Sequence, residues 1–166
     1  LAGASLCGGK AYALLEKFFR EFVKEATGQE KPLYKTLEKL AGDGKASCTG
    51  RENRQKLQIE TTFDGTRVHP EQTGSITNLS TDNFTPAAFV YGTLEGMSRE
   101  LYQMYQTIQN GTGMQIKRMI GSGNGLRKNP VLCEIVEEMF GAKLALAECE
   151  EEAATGAALS SMQQDE

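Results

Sequence analysis

The sequence predicts an α/β layer domain, and three observations carry that expectation. Amphipathic helical stretches alternate with short runs of strand periodicity. A glycine-rich run, Ile120-Gly121-Ser122-Gly123-Asn124-Gly125, joins the end of one such strand to the start of a helix. The chain of 166 residues, 39% hydrophobic and 24% charged, has the size and composition to bury one substantial core.

The first predicted helix spans Lys10 to Ala26, entered through the small residues Ala2–Gly9. Leu14, Leu15, Phe18, Phe19, Phe22, Val23 and Ala26 recur at three- and four-residue steps, with Glu16, Lys17, Arg20, Glu21 and Lys24 on the other face. The aromatic stripe reads as core packing. A shorter helix follows over Pro32–Ala41, carried by Leu33, Leu37 and Leu40, and the polar stretch Gly42–Arg54 reads as a surface loop. Leu57–Thr61 alternates as a strand does, Phe63–Pro70 breaks the pattern, and Gly74–Ser80 resumes it.

Thr85-Pro86 opens a long helix, threonine as cap and proline in the first turn, where no N–H is needed. Its predicted core face is Val90, Leu94, Met97, Leu101, Met104, Tyr105 and Ile108, and Asn110-Gly111 is its predicted end. A strand over Gln115–Ile120 leads into the glycine run. Asn129-Pro130 then starts a helix through Val131, Leu132, Ile135, Val136 and Met139, with Gly141 as its stop. A short strand, Lys143–Ala147, precedes the acidic residues Glu148, Glu150, Glu151 and Glu152 and a helix of alanine and glycine over Glu152–Ser161. The strand ending at Ile120 is expected in a central mixed sheet. The helices from Thr85, Pro130 and Glu152 should pack on it, the small-residue helix closest.

A net charge of −4 and the lack of a basic run weigh against a nucleic-acid partner. No apolar segment approaches the length of a membrane span and no signal peptide is visible, so a cytoplasmic chain is expected. Cys7, Cys48, Cys133 and Cys149 show no CxxC spacing and read as reduced thiols. His69 is the only histidine, which excludes a zinc site built on several histidines. No metal site is expected, the acidic run at Glu148–Glu152 reading as a solvated cap.

Chemistry gathers at the glycines. At Gly121, Ser122 and Gly123 the backbone can approach a ligand closely, and N–H groups at a helix start favour an anion. Gly8-Gly9 offers a second small-residue helix start, read either as close packing or as an approach to phosphate. Arg67, in the loop opened by Gly65, is of a type to pair with a carboxylate or a phosphate.

The motifs taken together resemble a known family. The runs Arg118-Met119-Ile120-Gly121-Ser122-Gly123, then Asn129-Pro130-Val131-Leu132, then Glu151-Glu152-Ala153-Ala154-Thr155-Gly156-Ala157-Ala158-Leu159 look like the end of the FGGY carbohydrate kinases. Ala4-Ser5-Leu6-Cys7-Gly8-Gly9, the loop Gly65-Thr66-Arg67 with Pro70, and Gly74-Ser75-Ile76-Thr77-Asn78-Leu79 resemble the sedoheptulokinase branch. The resemblance implies that residues 1–166 form an actin-like, ribonuclease H-like domain, the C-terminal, nucleotide-binding half of a two-domain sugar kinase. It implies ATP and Mg²⁺ as cofactors, with ATP or ADP as the bound nucleotide. Gly121, Ser122, Gly123 and Asn124, with Asn129, would hold the nucleoside, and Gly8 and Gly9 would lie towards the phosphates. Gly65 and Arg67 match a loop facing the sugar. The ketose, sedoheptulose or else xylulose or ribulose, would be bound through an N-terminal domain absent from this stretch. The catalytic aspartate and first phosphate loop of the family would precede Leu1, and no residue here matches them. The other expectation is a free-standing nucleotide-binding module without catalysis.

Overall fold

A computed structural model describes residues 7–49 and 56–147, which divide into two compact units parted between Met114 and Gln115. The first is organised on its longest helix. Its elements are α1 (Gly9–Thr27), α2 (Tyr34–Cys48), β1 (Gln58–Glu60), β2 (Ser75–Thr77) and α3 (Pro86–Thr112). The second holds β3 (Met119–Gly121), α4 (Asn124–Arg127), α5 (Pro130–Phe140) and β4 (Leu144–Leu146).

Helix α3 begins as expected. Thr85 is extended and its hydroxyl accepts a hydrogen bond from Ala88 N at 3.2 Å, with Pro86 in the first turn. It ends two residues later than expected. Gly111 stays helical, and Gly113, at φ +71°, makes the left-handed turn and donates its N–H to Gln109 O at 2.7 Å. Val90 and Leu94 are fully buried, whereas Leu101 is 45% exposed, so the predicted core face holds only in the first half of the helix. There α3 packs along α2 and over β1.

Glycine permits that packing. A Cβ at Gly96 would collide with Ile59 O of β1, and one at Gly92 would sit 3.3 Å from Leu57 O. Gly44 of α2 faces α3 equally closely, since a Cβ there would strike Ala87 O and lie 2.7 Å from Tyr91 Cβ. This corrects the expected loop at Gly42–Arg54. The helix expected to end at Ala41 runs on to Cys48, because Leu37, Ala41, Gly44 and Cys48 form its buried seam. Gly44 is a contact residue there rather than a helix breaker.

Strand β1 pairs antiparallel with β2, Ile59 opposite Ile76, and Arg99 of α3 reaches Glu60 at 3.2 Å. The stripe on α1 is the second correction. Leu14, Phe18 and Phe22 are 39%, 65% and 70% exposed, and the buried residues of the helix are Ala11 and Glu16. Glu16 is satisfied where it lies. One carboxylate oxygen accepts Leu33 N at 3.0 Å, tying α1 to the start of α2, and the other meets Arg20 at 3.3 Å.

In the second unit β3 and β4 pair parallel, with Ile120 opposite Ala145. Helix α5 covers β4 and buries Leu132, Ile135 and Val136. The described strands thus stand as two separate pairs, not the single central mixed sheet expected. A two-stranded pair is marginal alone, and here each is covered by a helix, α3 over β1 and α5 over β4. The expected residues Ala2–Leu6, Cys149, the acidic residues Glu148–Glu152 and the helix over Glu152–Ser161 lie outside the described residues.

The seam yields a paired test. Gly96→Ala should lower stability by about 1–3 kcal/mol through overpacking against β1. Gly111→Ala, in the same helix but with nothing within 4 Å of the new methyl, should raise it by about 0.5–1 kcal/mol. Urea unfolding of both variants measures the contrast, and two equal midpoints would contradict the close contact.

Candidate functional site

The glycine run sits where the two parallel strands end. Gly121 is the last residue of β3, opposite Leu146 of β4, and its carbonyl accepts Ala147 N at 2.8 Å. A Cβ at Gly121 would lie 2.7 Å from the tip of Leu126 and 3.0 Å from that of Leu144, so those two side chains pack onto it. Gly123 behaves differently. Its φ is +92°, a conformation open mainly to glycine, yet no described residue lies within 4 Å of where a Cβ would stand.

Asn124 then opens one helical turn, α4, where an irregular loop was expected. Arg127 N donates to Gly123 O at 3.2 Å and Lys128 N to Asn124 O at 3.1 Å. The Arg127 guanidinium reaches Ala147 O after β4 at 2.8 Å, and the Cys133 thiol donates to Leu126 O at 3.2 Å. Asn129 is buried and its side-chain oxygen accepts Leu132 N at 3.1 Å, which caps α5. The candidate residues therefore divide by exposure. Ser122 and Asn124 face solvent and Gly123 is half-buried, whereas Gly121 and Asn129 are enclosed and hold the frame.

The first unit brings the other candidates together. Gly8, at φ +43°, precedes α1, and Gly9 is its exposed first residue. Gly65, at φ +73°, turns the loop after β1. Its N–H donates to Thr62 O at 3.0 Å, and a Cβ there would lie 2.5 Å from Pro70 O. Thr66 and His69 close the same turn, Thr66 N to His69 O and His69 N to the Thr66 hydroxyl, each at 2.9 Å. Arg67 is exposed on this turn. The contact that sequence reasoning missed lies between these segments. Lys10, one residue into α1, places its ammonium 2.9 and 2.8 Å from the two carboxylate oxygens of Asp64. Nothing in the spacing of residues so far apart signals it. The Cys7 thiol beside them is buried, and burial first, then the Asp64 charge, pushes its pKa up.

Two depressions lie elsewhere. One of about 530 Å³, lined by Lys117, Arg118, Glu137 and Lys143, is at the opposite ends of β3 and β4 from the glycines. In open α/β sheets ligands gather beyond the carboxyl ends of the strands, so this hollow is the wrong side. There the Leu144 N–H, and after it Lys143, hold the Glu137 carboxyl below the usual range. The second, about 330 Å³, is apolar and runs between Leu14 and Phe18 of α1 and Phe63, Ile76 and Phe89. Among the described residues no group of three or more His, Cys, Asp or Glu stands close enough to hold a metal ion. No described helix is long and apolar enough to cross a membrane. Cys7 and Cys133 stand as thiols.

The fold has solved counterparts. Xylulose kinase from Bifidobacterium adolescentis superposes with a TM-score of 0.63 at 17% identity, over 86% of this chain and 25% of the other. Xylulose kinase from Rhodospirillum rubrum gives 0.64 at 20% identity, over 83% and 25%. Plasmodium falciparum glycerol kinase, solved with ADP, gives 0.61 at 16% identity, over 83% and 26%. These likenesses support the α/β, actin-like fold class, and the chain spans about a quarter of the length of each of these enzymes. Among curated protein sequences none matches it. The family model of the FGGY carbohydrate kinases, C-terminal domain, matches residues 1–163. With nearly its whole length inside that match, the chain belongs to the FGGY family of carbohydrate kinases as a C-terminal domain.

Proposed function

We propose that this domain is the nucleotide-binding half of an ATP-dependent sugar kinase, and that the nucleoside lies over Gly121, Ser122, Gly123 and Asn124. One observation carries the reading: Gly123 holds a positive φ with no described residue near its Cβ position, at the carboxyl ends of the parallel pair. That ADP accompanies a fold relative supports a nucleotide there. Ser122 and Asn124 are the polar side chains able to meet it, while Gly121 and Asn129 keep the turn in shape. In this reading the motif at Gly8-Gly9 is assigned to the phosphates, and the turn closed at Gly65, with Arg67 exposed on it, to the sugar. The substrate is a ketose. Sedoheptulose follows from the motifs at Gly8-Gly9, Gly65–Arg67 and Gly74–Leu79. Xylulose is the second choice, favoured by the fold relatives that act on it.

Phosphoryl transfer is mostly positioning and charge stabilisation, with ATP supplying the transferred group. This chain's part is to hold the nucleoside and orient its phosphates. Mg²⁺ finds no dedicated ligand set among the described residues, so no step is assigned to it here. The base that activates the sugar hydroxyl, and the residues that read the other hydroxyls, belong in this proposal to an N-terminal sugar-binding domain.

Two outcomes follow. Gly123→Val should weaken ATP or ADP binding at least tenfold, about 1.4 kcal/mol, with an unchanged circular dichroism spectrum. Equal affinities by calorimetry would remove the loop from the site. The 166-residue chain alone should show no sugar-dependent ADP release with sedoheptulose, xylulose or ribulose. A general base typically contributes on the order of 10²–10⁴-fold, and orientation of both substrates contributes further. Adding the sugar-binding domain, in one chain or as a second, should restore turnover. Turnover without it would place the catalytic centre within these residues.

A further inference from the structure

The glycine start of α1 and the Arg67 turn are far apart in sequence and meet at a charged contact. Lys10 bridges both oxygens of Asp64 across 54 positions of chain. Stability alone is a poor reason for this pair. Its side chains are 56% and 38% exposed, and exposed pairs contribute only about 0.2–1 kcal/mol. Nor does the turn need it to close. Gly65 N to Thr62 O, Thr66 N to His69 O and His69 N to the Thr66 hydroxyl already do that. Those bonds set the shape of the turn and leave open where it stands relative to α1. Between the turn and α1, the contact that can set this is Lys10 to Asp64.

We propose that Lys10 is a positioning residue: through Asp64 it fixes the Arg67 turn against the Gly8–Gly9 start of α1, so that Arg67 meets the sugar in one orientation. The role towards the sugar rests on the kinase reading above, whereas the anchoring is a property of this unit alone. Arg67 lies three residues beyond Asp64 on a turn closed by its own hydrogen bonds, so a shift at Asp64 carries Arg67 with it. Arginine at position 10 would keep the charge and the reach. Methionine would keep the bulk of the stem and lose the clasp.

The test has two arms. In the chain as it stands, hydrogen exchange at Thr66 and His69 should quicken about fivefold in Lys10→Met and in Asp64→Asn. It should stay near parental in Lys10→Arg and return in the exchanged pair Lys10→Asp with Asp64→Lys. Exchange across Val90–Leu94 should not move in any variant. In the enzyme assembled with its sugar-binding domain, Lys10→Met should raise KM for the ketose about fivefold while KM for ATP and kcat hold. Unchanged exchange in both single variants overturns the anchoring. A matching rise across Val90–Leu94 also overturns it, because Lys10 would then be supporting the whole unit. Quickened exchange with an unchanged ketose KM overturns the role towards the sugar. A parental assembly without sugar-dependent turnover overturns the kinase reading instead, and the exchange arm still judges the clasp.

Discussion

The approach of β1 to α3 across Gly92 and Gly96 is the constraint on which the first unit depends. Backbone meets backbone there, so the strand has almost no freedom to slide or lift. Gly44 brings α2 onto the same helix in the same way. With both neighbours held this closely, Val90 and Leu94 are enclosed. Strand β1 delivers Thr61 and Thr62, both buried, and the turn that begins at Phe63 inherits its place from them. The near end of the turn that carries Arg67 thus descends from two glycines on a helix, and its far part is left to the Lys10–Asp64 contact. Contact geometry sets this, since aliphatic area alone would tolerate a looser fit.

The second unit reaches its site by a different economy. Packing closes one side of the glycine run, with Gly121 under Leu126 and Leu144, and leaves the other side open at Gly123. Gly121 lies against the unit's own side chains, whereas Gly123 has no described residue near its Cβ position. Asn129 extends the division. An amide that sequence alone allows on either side is committed to Leu132 and so to the start of α5.

Local chemistry was legible in the sequence. The caps Thr85-Pro86 and Asn129-Pro130 form as read because a cap involves only a few neighbouring residues. What escaped was decided by partners distant in the chain. Gly42 and Gly44 look like helix breakers until α3 supplies the surface that Gly44 needs. Phe18 and Phe22 look like core by their spacing, yet spacing says which residues share a face and not whether that face is covered. Gly125-Leu126-Arg127 looks like added loop and folds as a helical turn, tied to β4's end by Arg127. Lys10 and Asp64 carry no local sign of one another.

The single turn of α4 has a consequence for how this loop can change length. An α-helix repeats every 3.6 residues, so the four residues Asn124–Arg127 bring the chain round by a little more than one full revolution. The backbone leaves the turn on almost the heading with which it entered. Excising the whole turn, or inserting another, would shift α5 along its path while altering its facing only slightly. Removing one residue would rotate everything downstream by about 100°, swinging Leu132 and Ile135 off the strand. Length at this junction is therefore quantised by helical phase, and the lengths it tolerates are spaced by whole turns.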